Sequence, residues 1–166
     1  MPGKTIGMTM NLGFPGSHSR SPDDIHQNRP ASGVIPFGAP LILNNDGTFS
    51  QFGAANTADD FVGVALRVVK QQTDYYSNDV VYNDKDPCDG KMRGSVAVKI
   101  TGGTPYAGSP VFIRIAENVA SPDSAIGDFV ASADGTNTIQ LNNAVFHSGK
   151  VDSNGVSEIT VLTRKA

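Results

Sequence analysis

The sequence has no tryptophan, one cysteine and three histidines. A lone Cys88 cannot close an internal disulfide, so it is expected to be a structural or incidental thiol. With so few soft ligands, bases and nucleophiles, metal and covalent chemistry have little to work with. Charge is also scarce: 17% of the chain is Asp, Glu, Lys or Arg, against about 25% in an ordinary domain. The 13 Lys and Arg against 16 Asp and Glu leave a formal charge of -3, and without a basic stripe no direct contact with nucleic acid is expected. No apolar run approaches the roughly 18 residues of a membrane-spanning helix, so no membrane partner is expected. The N-terminus lacks the basic stretch and contiguous apolar core of a secretory signal, and synthesis in a cytoplasm is the expectation.

Helices have little room, because 18 glycines and 10 prolines are dispersed so that the longest stretch free of both is 64–86. What is present is a series of short apolar segments at 34–43, 48–52, 61–69, 79–82, 95–101, 110–115, 126–131, 138–141, 144–147 and 156–163. Between them stand Asp46-Gly47, Asp89-Gly90, Asp134-Gly135 and Asn154-Gly155, dipeptides suited to hairpin turns. This spacing predicts an all-β protein, a compact β-sandwich or β-barrel of jelly-roll-like type.

Alternation assigns the faces. Val96, Val98 and Ile100 oppose Ala97, Lys99 and Thr101; Val111, Ile113 and Ile115 oppose Phe112, Arg114 and Ala116; Ile159 and Val161 oppose Glu158, Thr160 and Leu162. Phe112 and Leu162 thus fall on faces expected to be wet, which marks them as a possible oligomer interface. Residues 1–32 are expected to form an extended N-terminal arm and 33–166 a single β domain, since Pro2, Pro15, Pro22, Pro30 and the run Ser17-His18-Ser19-Arg20-Ser21 offer little to bury. Within the arm, Ile6, Met8, Met10, Leu12 and Phe14 recur at every second position, a half-buried strand pattern that something must cover. Either the chain's own sheet or a neighbouring protein can do so.

No catalytic, cofactor-binding or metal-binding residues are expected. His18, His26 and His147 each have a carboxylate or hydroxyl nearby in sequence, but without recognisable metal-ligand spacing, and Asp23-Asp24-Ile25-His26 in its Pro- and Ser-rich stretch reads as a solvated loop. No Gly-x-Ser-x-Gly occurs, and Gly108-Ser109-Pro110 reads as a turn leading into a strand. Asn44-Asn45-Asp46-Gly47 lacks the downstream Glu of a calcium loop and reads as a hairpin turn. Tyr75, Tyr76, Tyr82 and Tyr106 form a sugar platform less readily than ordinary packing.

The order of several glycine-anchored pieces is familiar. Leu12-Gly13-Phe14-Pro15-Gly16, Ile35-Pro36-Phe37-Gly38, Phe61-Val62-Gly63-Val64-Ala65, Arg93-Gly94-Ser95-Val96-Ala97-Val98, Gly108-Ser109-Pro110-Val111-Phe112 and Glu158-Ile159-x-Val161 follow one another along nearly the whole chain. This series resembles the structural cement (capsid decoration) proteins of tailed bacteriophages. The resemblance implies a β-rich, non-enzymatic virion protein that attaches to the outer capsid surface, clamps neighbouring major capsid protein subunits and resists DNA pressure. A homo-oligomer, trimer or dimer, would match the local lattice axes. Under this reading Ile6, Met8, Met10, Leu12 and Phe14 contact the capsid or a neighbouring subunit, and Arg20 and Arg29 pair with acidic capsid groups. The alternatives are a phage tail, baseplate or head-fibre component, or a small carbohydrate-binding β-module.

Overall fold

The computed structural model describes residues 11–68, 80–118 and 124–164. Eleven strands carry the fold among them: β1 (His18–Pro30), β2 (Ile35–Pro36), β3 (Pro40–Leu43), β4 (Phe49–Gln51), β5 (Phe61–Ala65), β6 (Val81–Tyr82), β7 (Pro87–Lys99), β8 (Pro110–Arg114), β9 (Phe129–Val130), β10 (Thr138–Val151) and β11 (Val156–Val161). Helix among the described residues is limited to two single 3-10 turns, Ala58–Asp60 and Gly135–Asn137. The main sheet runs β4-β3-β5-β7-β11-β10-β8-β9, with β1 also paired to β7, and β2 and β6 form a separate pair. All ladders between these strands are antiparallel.

β7 is the spine because its thirteen residues serve two cores. Cys88 and Met92 join Ile35, Leu41, Phe49, Val62 and Tyr82 in one cluster. Val96 and Val98, followed by Ile100, join Val111, Ile113, Phe146, Ile159 and Val161 in the other. β5 feeds both, with Phe61 and Val64 in one cluster and Val62 and Ala65 in the other. That is what an apolar run buried on both faces dictates. The sheet curls round each cluster and nearly meets itself twice. Ile100 bridges Phe129, and Ala31 bridges Phe49. Each is a single bridge beside one or two further hydrogen bonds, such as Thr101 N–H to Phe129 O (3.1 Å) and Ser32 N–H to Phe49 O (2.7 Å), so neither roll closes as a ladder.

The structure corrects several local expectations. Asp23-Asp24-Ile25-His26, expected to be a solvated loop, lie within β1, one of the longest strands. Asp89-Gly90 is not a turn but lies inside β7, where a Cβ on Gly90 would press on Leu41 and Phe49. The segments 138–141 and 144–147 are one strand, β10, with a register shift between Gln140 and Val145. Arg114 and Glu158, expected on wet faces, are both 3% exposed. Leu12 and Phe14 do not continue a strand: Pro15 has no N–H to give a ladder, Gly16 takes φ +81°, and the chain turns with Ser17 N–H donating to Phe14 O at 2.9 Å.

Candidate functional site

The chain enters the sheet through a staple that joins four of the glycine-anchored pieces. Gly16 N–H donates to Ala97 O (2.8 Å), Arg67 N–H donates to Gly16 O (2.8 Å), and Gly38 N–H donates to Ala65 O (2.8 Å). A Cβ on Gly16 would lie 2.7–2.9 Å from Arg67 N, Ala65 O and Gly38 N, all backbone atoms, so this crossing admits only glycine. Upstream, Leu12 N–H donates to Asp152 Oδ2 at 3.0 Å, and Asn11 meets Ser153 across the β10–β11 turn. Burial alone would raise the Asp152 pKa. The N–H groups of Val156, Leu12 and Asn154 outweigh it and hold the carboxyl below the usual range. Between these two anchors Phe14 is 61% exposed, with the Arg67 guanidinium 4.7 Å over its ring.

A second polar assembly lies under the first half of β1. Arg20 Nε donates to Glu158 Oε1 at 2.6 Å, and Ser19 Oγ donates to the same oxygen. Burial by itself would raise Glu158, but the hydrogen bonds of Arg20 and Ser19, with the charges of His147 and Arg20, hold it below its ordinary value. Next to it Lys91, fully buried, places Nζ 2.8 Å from Asp24 Oδ1 and 2.6 Å from His18 Nδ1. His18 Nδ1 is also 3.0 Å from Asp24 Oδ2, and the His18 and His26 rings meet edge-on at 5.9 Å. Arg93 and Asp23 pair at 2.8 Å beside them. Asp24 can lie here because Gly94, at φ +106°, has no Cβ; one built there would land on Asp24 Oδ1.

The sequence-derived contact residues fall in different settings. Ile6, Met8 and Met10 lie outside the described residues, as do Tyr75 and Tyr76. Leu12 is half-buried in the staple and Phe14 stands out from it. Arg20 is tied to Glu158 within the chain, although its side chain is 56% exposed. Arg29 is half-buried, with Nη1 donating to Gly47 O at 3.1 Å. Phe112 is half-buried on β8 and Leu162 is exposed just past β11, so the two stand beside opposite partners of β10. Lys91, Gly94, Asp24 and Glu158 were missed as a site. Their available signal was a strand in which Gly90 and Gly94 bracket charged residues, since glycine inside a strand marks a close approach.

The paired charges are turned toward one another, and the large exposed apolar side chains among the described residues are Phe14, Val34, Val80, Tyr106, Val151 and Leu162. The fold defines the class as an all-β protein built on one large antiparallel sheet. Residues 2–162 match the model of the family "Structural cement protein (E217 gp24/Pam3 gp6)". A chain of the solved structure "The capsid of Myoviridae Phage XM1" is similar over 98% of this chain and 97% of that one, with a TM-score of 0.66 and 14% identity, a likeness of fold. No curated protein matches the sequence. The chain belongs to the structural cement protein family, and its role is structural: it is a phage protein that decorates and stabilises the capsid.

Proposed function

We propose that this protein sits on the outer surface of the shell, bridges neighbouring major capsid protein subunits, and acts by contact alone, without catalysis. The observation that carries the reading is the staple. Asn11 and Leu12 are fixed at the β10–β11 turn, and the period-two strip of Ile6, Met8 and Met10 immediately precedes them in sequence. Leu12 and Phe14 form the root of that contact. Arg20, with more than half its side chain exposed, is the better placed of the two arginines to meet an acidic shell group; Arg29 supports it from a more buried position. Phe112 and Leu162 are proposed as a contact between copies in a dimer or trimer. In functional terms, 1–32 carry the capsid contacts and 33–166 most of the two cores, although β1 pairs along β7 and Ala31 is buried in one of the cores. Many weak contacts repeated by symmetry supply the avidity that a shell needs.

Co-sedimentation with mature shells stripped of the protein tests this. The full chain is expected to bind saturably, with a copy number tied to lattice sites, and deletion of residues 1–10 to weaken binding by about tenfold or more at unchanged melting temperature. A cut at residue 16 is less informative, because it removes the Gly16 hydrogen bonds to the body. Full-strength binding by the 1–10 deletion would remove the strip from the contact, and absence of binding by the full chain would overturn the surface-clamp reading.

A further inference from the structure

We propose that Asp24, Lys91, His18 and His26 form a proton-operated clasp, which holds residues 18–25 of β1 on β7 at neutral pH and lets them go on acidification while residues 26–30 stay paired. One carboxylate serves two nitrogen bases. Asp24, 15% exposed, faces the Lys91 ammonium through Oδ1 and His18 Nδ1 through Oδ2. His18 Nδ1 lies within hydrogen-bond distance of both Asp24 and Lys91, and its single position has two uses. Unprotonated, it accepts a hydrogen bond from Lys91 Nζ. With a proton on Nδ1 it would donate to Asp24 Oδ2 instead, and Lys91 would keep only Asp24 Oδ1 as acceptor while standing 2.6 Å from an imidazolium. Two cations at that separation with a single carboxylate between them are repelled strongly in a partly buried site.

His26 pushes the same way. The groups facing it are Asp24 and His18 on β1 and Lys91 and Asp89 on β7. Burial, and then the charge of Lys91, lower its pKa from the ordinary 6.5, with Asp24 and Asp89 opposing. The unfolded or detached strand therefore binds the proton more readily than the docked one. Its contribution to docking is present above about pH 6.5 and is lost as the pH falls through the lower docked value. The neighbouring pairs Asp23–Arg93 and Arg20–Glu158 are already matched and supply no spare carboxylate. The three groups His18, Asp24 and His26 are also close enough to hold a metal ion, with ligand atoms within 4.8 Å of one another. The Lys91 ammonium occupies that cation position, which favours a proton switch over a metal site. The backbone makes release local: residues 18–25 pair with 93–96 through three register shifts, whereas 26–30 follow a regular ladder.

Amide hydrogen exchange on the isolated full chain, corrected for intrinsic rates and compared between about pH 7.5 and about pH 5, tests the clasp independently of shell binding. Protection at 18–25 is expected to fall about tenfold or more while protection at 26–30 of β1 and in β7 is kept. The double variant His18→Gln, His26→Gln should show a flat profile at 18–25. Lys91→Met, which removes the competing cation, should shrink the acid loss in the same segment. Unchanged protection in the wild type, or equal loss at 18–25 and 26–30, would overturn the clasp. An acid loss of wild-type size in the double variant, or in Lys91→Met should the double variant not fold, would overturn it too.

Discussion

The two halves of β1 are attached to the same strand by different means. From His26 to Pro30 each residue faces one partner in an unbroken antiparallel register, Lys91 back to Pro87. From His18 to Ile25 the chain advances against only Val96 to Arg93, with three register shifts. The surplus backbone of that half is held down by side chains: Ser19 and Arg20 on Glu158, Asp24 on Lys91, and Asp23 on Arg93. A ladder of peptide hydrogen bonds is indifferent to pH and salt, whereas ion pairs at the edge of solvent respond to both. One strand thus contains a permanent segment and a conditional one.

Substitutions can break or sharpen this contrast. The largest effect is expected from Phe49→Ala. Phe49 is fully buried beneath the end of β1, where its carbonyl accepts Ser32 N–H, and the loss should be about 3–5 kcal/mol in thermal or denaturant unfolding. Because it empties the core beside the permanent half, the whole chain should lose stability together. Gly94→Ala should do the opposite. Its Cβ would land on Asp24 Oδ1 and its φ of +106° disfavours an L residue by about 1–2 kcal/mol, so increased exchange confined to 18–25 is expected. Equal loosening of 26–30 would contradict the division. The smallest effect is expected from Glu158→Gln. Glu158 is held below its ordinary 4.5, so its contribution is present above that value and lost as the pH falls through the folded one. Acid unfolding of the variant should accordingly start from a lower plateau and show a shallower slope below about pH 4.5.

Alternation told the truth wherever one face of a strand meets a core and the other meets water. Val96 and Val98, Val111 and Ile113, and Ile159 and Val161 are all buried as their spacing requires. It failed where polar groups are buried by pairing, because a charge satisfied by an ion pair looks the same in sequence as a solvated one. Arg114, buried between Ser124 and Asp134, and Glu158, buried under Ser19 and Arg20, are such cases. β1 was illegible for the same reason, since it carries almost no apolar pattern and owes its first half to charges that meet partners some seventy residues or more away. The glycine-anchored pieces were legible as a series, but their meaning was not. Gly16 against Gly38 and Gly94 under Asp24 are places where two stretches of chain cross too closely for a side chain.

The two single bridges that end the sheet have a bearing on how the protein survives before it reaches a shell. β4 and β9, the outermost strands, are three and two residues long, and each is met by a turn of the same chain at Ala31 or Ile100. An unpaired edge of any length is a template on which a second chain can polymerise, and short, self-covered edges deny that template. A capsid component is made in many copies inside one cell, where sticking to its siblings would compete with finding the lattice. At these two ends the incomplete rolls leave little strand edge for fibre growth, whereas β1, laddered to β7 alone among the described strands, breaks up its outer edge with three register shifts.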